Sequence, residues 1–392
     1  MIPYEELDRR IKKLQAAMQN KDMAAALLVQ RADLFYFSGT GQNAHIFVPA
    51  EGEAVLIVKK SILRAEQESA LPKIIPFKGW GELASLIAQT VPRGSKIGLE
   101  NDVLPANLYF RYQKLLDGFD TTDVSGIIRS VRAVKSPYEL EVMSKAATIS
   151  EAVFNHAREI LREGQHEVEL AGQLEFKARQ LGHQGAVRMR GFNQELYFGH
   201  IMAGESASAV SFFDGPTGGH GLNPSYPQGA GMMEVKNNEP VLVDFVSVYE
   251  GYMVDQTRIF CLGEPPLHLQ EAYNRAVEIK HTLSKEGKPG VLGSALYLEA
   301  ENQAAKAGLA NHFMGYTEKV SFIGHGVGIE LDELPVIARG IDLPLEEGMV
   351  FALEPKFIFP GEGAVGIEDT FVVRQNGLEQ ITRFSDELQI IG

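Results

Sequence analysis

Two acid pairs, each set symmetrically about a turn, constrain this chain more than any other feature of its sequence. The first lies in VLVDFVSVYEGYMVDQTRIF, where Asp244 and Asp255 occupy apolar runs on either side of Tyr249-Glu250-Gly251. The spacing predicts a hairpin folding near Glu250, which sets the two carboxylates opposite or diagonal to one another. Directly opposed positions bring Cβ atoms to about 4.5–5.5 Å, where like charges destabilise a sheet. The second pair lies in GMVFALEPKFIFPGEGAVGIEDTFVV, where Glu354 and Glu368 are equidistant from Gly361. An unpaired charge in a buried strand is costly, so hairpins that force carboxylates together make sense around cations. With His325 of the GHGVG segment, the set Asp244, Asp255, His325, Glu354 and Glu368 suits a dinuclear site for hard-to-borderline divalent metals. Any one of these acids alone reads as a solvated strand end; the coincidence of both pairs with the histidine favours ligands.

The rest of the composition narrows the class. A chain of 392 residues exceeds a single ordinary core, so two domains are expected. With 45% hydrophobic and 22% charged residues it reads as globular. A net charge of −14 argues against a nucleic-acid partner, because such binders concentrate Lys and Arg. No apolar run approaches the roughly 18–20 residues that a membrane span needs, and MIPYEELDRRIKKLQ is an amphipathic helix pattern without a signal-peptide core. Cys261 is the sole cysteine, so no intrachain disulfide forms and a cytoplasmic location is expected.

Residues 1–133 alternate strand and helix signals, which predicts a small α/β domain on a mixed or parallel sheet. The aromatic cluster Phe35-Tyr36-Phe37 is assigned to its core. Ser136-Pro137, with Glu139 following, is the start of a long helix and of a second domain over 137–392. Two helices precede the first acid hairpin, in ELEVMSKAATISEAVFNHAREIL and EVELAGQLEFKARQLG. Two more, HLQEAYNRAVEIKHTL and SALYLEAENQAAKAG, lie between the hairpins, giving two helix-plus-hairpin halves.

The run D-x6-GY-x2-D-x-TR (Asp244, Gly251, Tyr252, Asp255, Thr257, Arg258), then GHGVG, LEP and GIEDT, resembles the creatinase/prolidase/methionine aminopeptidase superfamily of M24-type metallopeptidases. It is most similar to the two-domain Xaa-Pro peptidase-like members, and Arg132–Ala147 resembles the entry to their catalytic domain. The resemblance implies an α/β N-terminal domain followed by an α+β pita-bread catalytic domain with pseudo-two-fold symmetry. It also implies two divalent metal ions (Mn, Co, Zn or Fe), bridged by Asp255 and Glu368, with Asp244 on one ion and His325 and Glu354 on the other. Glu354 would act as general base, a metal-bridging hydroxide would attack a peptide bond near the substrate's amino terminus, and a homodimer is expected.

Departures from the pattern bear on the pocket. Where relatives carry a second histidine seven residues after the ligand, this chain has Asp332, which suits a cationic substrate group or a turn cap. His220 stands farther upstream of Asp244 than the relatives' carbonyl-holding histidine, and His200 is a weaker second candidate. Gly366 occupies a place where many proline-specific relatives have arginine. Glu354, His220 and Asp332 are therefore the catalytic candidates, and His220, Asp332 and Tyr252 the substrate contacts. The leading expectation is an aminopeptidase or dipeptidase of Xaa-Pro type acting on small peptides. The alternatives are a creatinase-like C–N hydrolase or lyase on the same scaffold, and a non-catalytic peptide-binding module.

Overall fold

The computed structural model describes residues 1–392, which divide into two compact units, Met1–Arg132 and Ala133–Gly392. The first contains α1 (Tyr4–Gln19), β1 (Met23–Leu28), α2 (Arg31–Ser38), β2 (Ala44–Pro49), β3 (Val55–Val58), α3 (Ile62–Glu68) and β4 (Ile74–Pro76). It continues through α4 (Trp80–Thr90), β5 (Lys96–Leu99), α5 (Ala106–Leu115), β6 (Asp120–Asp123) and α6 (Ser125–Ala133). Its six strands form one sheet in the order β4-β3-β2-β1-β5-β6, antiparallel from β1 through β3 and parallel elsewhere. This is the mixed sheet expected of alternating signals. Leu27, Phe47, Ile57, Ile87, Ile97 and Tyr112 fill its core. Each such side chain contributes roughly 1.5–3 kcal/mol by leaving water. Tyr36 and Phe37 are buried, as their apolar context predicts, and Arg10 covers the Tyr36 ring at 4.3 Å.

The second unit opens with α7 (Pro137–Ile160). Ser136 caps it by accepting from Glu139 N, and Glu139 returns a bond to Ser136 N, a reciprocal capping box with proline at the first turn. There follow α8 (Glu167–Gln180), β7 (Gly199–Ala203), β8 (Val241–Tyr249), β9 (Tyr252–Leu262), α9 (Leu267–Glu286) and α10 (Gly293–Lys306). The remaining strands are β10 (Phe322–Gly326), β11 (Glu333–Ala338), β12 (Val350–Leu353), β13 (Lys356–Phe359), β14 (Gly363–Gly366), β15 (Asp369–Arg374), β16 (Gly377–Gln380) and β17 (Gln389–Ile391).

The strands make a four-stranded sheet, β17-β9-β8-β7, a five-stranded sheet, β11-β10-β12-β15-β16, and the β13-β14 ribbon. Helices α7 and α8 pack on the first sheet through Val153, Phe154, Leu170, Leu174, Val243 and Phe260. Helices α9 and α10 pack on the second through Leu269, Tyr273, Leu296, Ile337, Phe351 and Phe371. A helix pair over a largely antiparallel sheet thus occurs twice, which is the duplication the sequence carries. The apolar faces bury against helices, and the sheets' other residues are free to build a polar site between the two halves of the unit.

Candidate metal centre

Two turns set the registers on which the site depends. Glu250 (φ 45°) and Gly251 (φ 88°) form a two-residue turn with both central residues left-handed, the geometry whose twist matches a tight hairpin. It closes Tyr249 on Tyr252 and pairs Asp244 with Thr257 and Val246 with Asp255. Asp244 and Asp255 are therefore diagonal neighbours on one face, within the range expected from their spacing. A slip of one residue would turn a carboxylate to the opposite face.

The second hairpin is more unusual. The β12–β15 ladder ends at Leu353↔Asp369, and the β13–β14 ladder begins at Lys356↔Gly366. Glu354 and Glu368 fall in the gap between the ladders, and their backbones turn to other partners. Glu354 N donates to Ile323 O at 2.9 Å, while Glu368 and Thr257 exchange N–H···O bonds of 3.2 Å. This exchange draws the second hairpin onto β9 beside Asp255. Thr257 Oγ1 then donates to Glu368 Oε2 at 2.7 Å, and Thr370 Oγ1 bonds the backbone of Asp255.

His325 enters from β10, between Ala352 of β12 and Val336 of β11. The flanking glycines are steric requirements. A Cβ at Gly324 would lie 2.4 Å from Ala352 O, and one at Gly326 would lie 2.3 Å from Leu334 O. The imidazole Nδ1 lies 2.8 Å from Leu331 O. A carbonyl only accepts, so this bond assigns the proton to Nδ1 and leaves the Nε2 lone pair facing the acids. Nε2 stands 3.9 Å from Asp255 Oδ2 and 3.8 Å from both Glu354 Oε1 and Glu368 Oε1. Ligand atoms of Asp255, His325 and Glu368 all fall within 4.8 Å of one another. This donor set, with its imidazole in the ligating tautomer, fits a divalent cation.

The cluster also holds a residue that the sequence reading missed. Lys356, 2% exposed, extends its ammonium among the acids, donating to Glu368 Oε2 at 2.7 Å and Glu354 Oε2 at 2.8 Å. Asp244 Oδ2 lies 3.4 Å away. Burial alone would lower this ammonium's pKa, but Asp244, Glu354 and Glu368 together hold it well above the ordinary lysine value. Burial, reinforced by Glu368 and Asp244, raises Asp255 well above the carboxylate range. Burial also pushes Glu368 up to about 7, against the pull of Lys356 and with support from Glu354 and Asp244. One lysine leaves this group of four acids short of positive charge. The available signal was a lysine inside the apolar run VFALEPKFIF, where a solvated position is not expected.

His200 is among the histidines that the sequence offers. It pairs directly with Asp244 across β7 and β8 and is buried, with Nε2 making no hydrogen bond. Burial lowers its pKa; Asp244 opposes that shift and Lys356 adds to it. The weaker candidate of the two upstream histidines thus stands next to a proposed ligand. His220 lies on an exposed loop, where its backbone N donates to Ser206 Oγ at 3.4 Å. Asp332 is half-buried and accepts from Arg190 N at 3.0 Å, which, with the Leu331 N to Arg188 O bond of 2.9 Å, ties its segment to the 188–190 stretch. Tyr252 is 1% exposed, and its hydroxyl donates to Glu139 Oε1 at 3.1 Å. That placement ties Tyr252 to the start of α7 and leaves it no surface for substrate.

Beneath the centre, Asp369 accepts from Arg258, Lys280, Gln256 and Thr382, all buried, at 2.6–3.1 Å. Arg258 Nη1 also donates to the carbonyls of Thr257 and Glu368, each at 2.8 Å. The network fixes the backbone from which Glu368 projects.

Comparison with known proteins agrees with this geometry. The metallopeptidase family M24 model matches residues 141–375, and the creatinase/prolidase N-terminal domain model matches residues 10–134. A Pyrococcus furiosus protein named Xaa-Pro dipeptidase is 25% identical over 384 residues, covering 97% of this chain and 100% of its own. The structure of the Xaa-Pro dipeptidase from Bacillus anthracis superposes with a TM-score of 0.84 at 25% identity, covering 98% of this chain and 100% of that one. The prolidase from Pyrococcus horikoshii gives 0.80 at 25% identity, with 97% and 99% covered. The architecture is that of an α/β N-terminal domain joined to a pita-bread catalytic domain, and the chain belongs to metallopeptidase family M24.

Proposed function

We propose that this chain is a metal-dependent peptidase of the Xaa-Pro dipeptidase type, hydrolysing small peptides near their amino terminus. The observation that carries this reading is the convergence of Asp255, His325, Glu354 and Glu368 on one position, with Asp244 alongside. Relatives named Xaa-Pro dipeptidase, matched over nearly the whole chain, support the substrate class. A divalent cation (Mn, Co, Zn or Fe) held by these donors would supply Lewis acidity toward the scissile carbonyl and the attacking water. Lys356 places a further positive charge among the same oxygens.

The chain's own residues divide the remaining work. Glu354 is the proton carrier: its Oε2 is held by Lys356 and its Oε1 faces His325, and the carboxylate would take a proton from the attacking water and return it to the leaving amine. His325 is kept in its ligating tautomer by Leu331 O. His200, buried against Asp244, stands at the acid cluster as His220 on its exposed loop does not, and Asp332 is proposed for the substrate amine.

A homodimer belongs to the same reading. Phe192 (93% exposed), Tyr197 (62%), Phe212 (51%) and Leu222 (55%) are exposed apolar side chains on the loops of this unit, of the kind that a second copy would cover. No helix is long and apolar enough to cross a membrane, and a cytoplasmic site of action is proposed alongside a buried free Cys261.

The test is hydrolysis of Xaa-Pro and non-proline dipeptides by chelated and then Mn-, Co- or Zn-reconstituted protein, with Glu354→Gln as control. Metal-dependent cleavage that is lost in Glu354→Gln supports the proposal, and the panel reports whether proline is required. Bound metal without any peptide turnover turns the reading to a small-molecule C–N hydrolase or lyase. A protein that binds no metal refutes it.

A further inference from the structure

We infer that the Lys356 ammonium is a built-in replacement for one metal ion, so that the centre takes a single divalent cation and completes its charge with a covalently tethered one. This rests on the metallopeptidase reading above and concerns how many ions that site accepts.

Glu354 turns Oε2 to Lys356 at 2.8 Å and Oε1 to His325 at 3.8 Å. Glu368 does the same, with Oε2 at 2.7 Å from Lys356 and Oε1 at 3.8 Å from His325. Two carboxylates thus each bridge two positions. One position is bounded by His325 Nε2, Asp255 Oδ2 and both Oε1 atoms. The other is bounded by both Oε2 atoms and Asp244 Oδ2, and it already contains the ammonium. Glu368 Oε2 also accepts from Thr257 Oγ1 at 2.7 Å, so it is satisfied without any ion. A dication entering that second position would have to expel a buried ammonium and strip it of its oxygens.

The fold makes room for the lysine deliberately at one other residue. Gly366 is the direct cross-strand partner of Lys356. A Cβ there would stand 2.7 Å from both Lys356 Cα and Cγ and 2.6 Å from Pro355 O. Any side chain at 366 would therefore collide with the stem that carries the ammonium inward. The lysine and the glycine form one matched device: the first supplies the charge, the second the space. Position 356 also follows Glu354-Pro355 at the ladder break, so the ammonium comes from the same hairpin as two of the acids it joins.

The consequence is a centre with one exchangeable cation and one permanent one. Chelation removes the first and leaves the second, so the acids are never wholly uncompensated in the apoprotein. The experiment is metal stoichiometry by plasma mass spectrometry on the full chain, stripped with a chelator and saturated with Mn(II). It is read beside the Mn(II) electron paramagnetic resonance spectrum, with Lys356→Met as the variant. One ion per wild-type chain with an uncoupled spectrum, and two per chain with a spin-coupled spectrum in Lys356→Met, is the expected result. Two coupled ions in the wild type overturn the inference while leaving the metallopeptidase reading intact. So does a single ion in a folded Lys356→Met protein. No ion in the wild type removes the metal reading itself. Should Lys356→Met fail to fold by circular dichroism, the wild-type count and spectrum still decide between one ion and two.

Discussion

The network under the metal centre yields a prediction whose size follows from counting charges. Arg258 and Lys280 are each 0% exposed and meet two acids, Asp369 (0%) and Asp386 (27%). Asp369 Oδ1 accepts from Arg258, Gln256 and Thr382, and Oδ2 from Lys280 at 2.6 Å. Asp369→Asn preserves shape but removes one of the two anions. Its amide nitrogen must also face a donor, whichever way the group is turned. The formal balance changes from neutral to one unpaired buried positive charge, and breaking a buried pair in this way costs about 3–5 kcal/mol. For a unit of this size, roughly 2–4 °C are lost per kcal/mol, so the melting temperature of the Ala133–Gly392 unit should fall by at least about 6 °C. Differential scanning calorimetry of wild type, Asp369→Asn, Lys280→Met and the double variant measures it. The double variant restores balance between Arg258 and Asp386 and should recover at least about 1 kcal/mol relative to additivity. A cost for Asp369→Asn below about 1 kcal/mol, or strictly additive losses, would refute the account of the network as a charge-balanced support for Glu368.

Three further outcomes are expected. Gly199 has φ +145°, and a Cβ there would lie 2.1 Å from Asp244 O. Gly199→Ala should therefore displace Asp244 from beside the Lys356 ammonium and cost about 1–3 kcal/mol in urea unfolding; an unchanged midpoint would count against this close approach. Phe154 packs in α7 against Phe260 and Phe384 at 6.2 and 5.3 Å between ring centres, and Phe154→Ala should cost about 3–5 kcal/mol in urea unfolding. In the Met1–Arg132 unit, burial, aided by Lys59, holds His45 down at about 3, below its ordinary 6.5. A folded value below the unfolded one gives stability that is full above pH 6.5 and lost as pH falls toward about 3, at about 1.4 kcal/mol per pH unit. Trp80, the only tryptophan, lies 5.7 Å from His45 and reports on this unit by fluorescence; His45→Phe should flatten the slope between pH 6.5 and 4.5, and an unchanged slope would assign it elsewhere.

How much of this was legible beforehand depended on the range over which each feature is fixed. The capping of α7 by Ser136 and Glu139 is decided within four residues, and the sequence states it. The diagonal of Asp244 and Asp255 is decided by a two-residue turn, so counting outward from Glu250-Gly251 predicts it. The symmetry of Glu354 and Glu368 about Gly361 is likewise local, although the ladder break that frees their backbones was not readable, because Ile323 and Thr257 create it from other strands. His200 acquires its place beside Asp244 through strand pairing across a long glycine-rich excursion, and no local pattern specifies that register. Tyr252 was placed with the substrate because of its neighbours in sequence, yet the pleat turns it to Glu139 of α7.

Lys356 marks the boundary most clearly. Its sequence neighbours state only that a charge interrupts an apolar strand. Whether such a lysine reaches solvent or turns inward depends on what stands opposite and what surrounds its tip. Gly366 leaves the stem its path, and carboxylates from β8, the β12–β13 junction and the β14–β15 junction surround the ammonium. The sequence by itself determined the hairpins, the helices and the residue types of the candidate site, since turns, caps and periodicity act over a few residues. The tertiary structure alone decided which charges share one small volume, because electrostatic pairing acts through space between strands far apart in the chain.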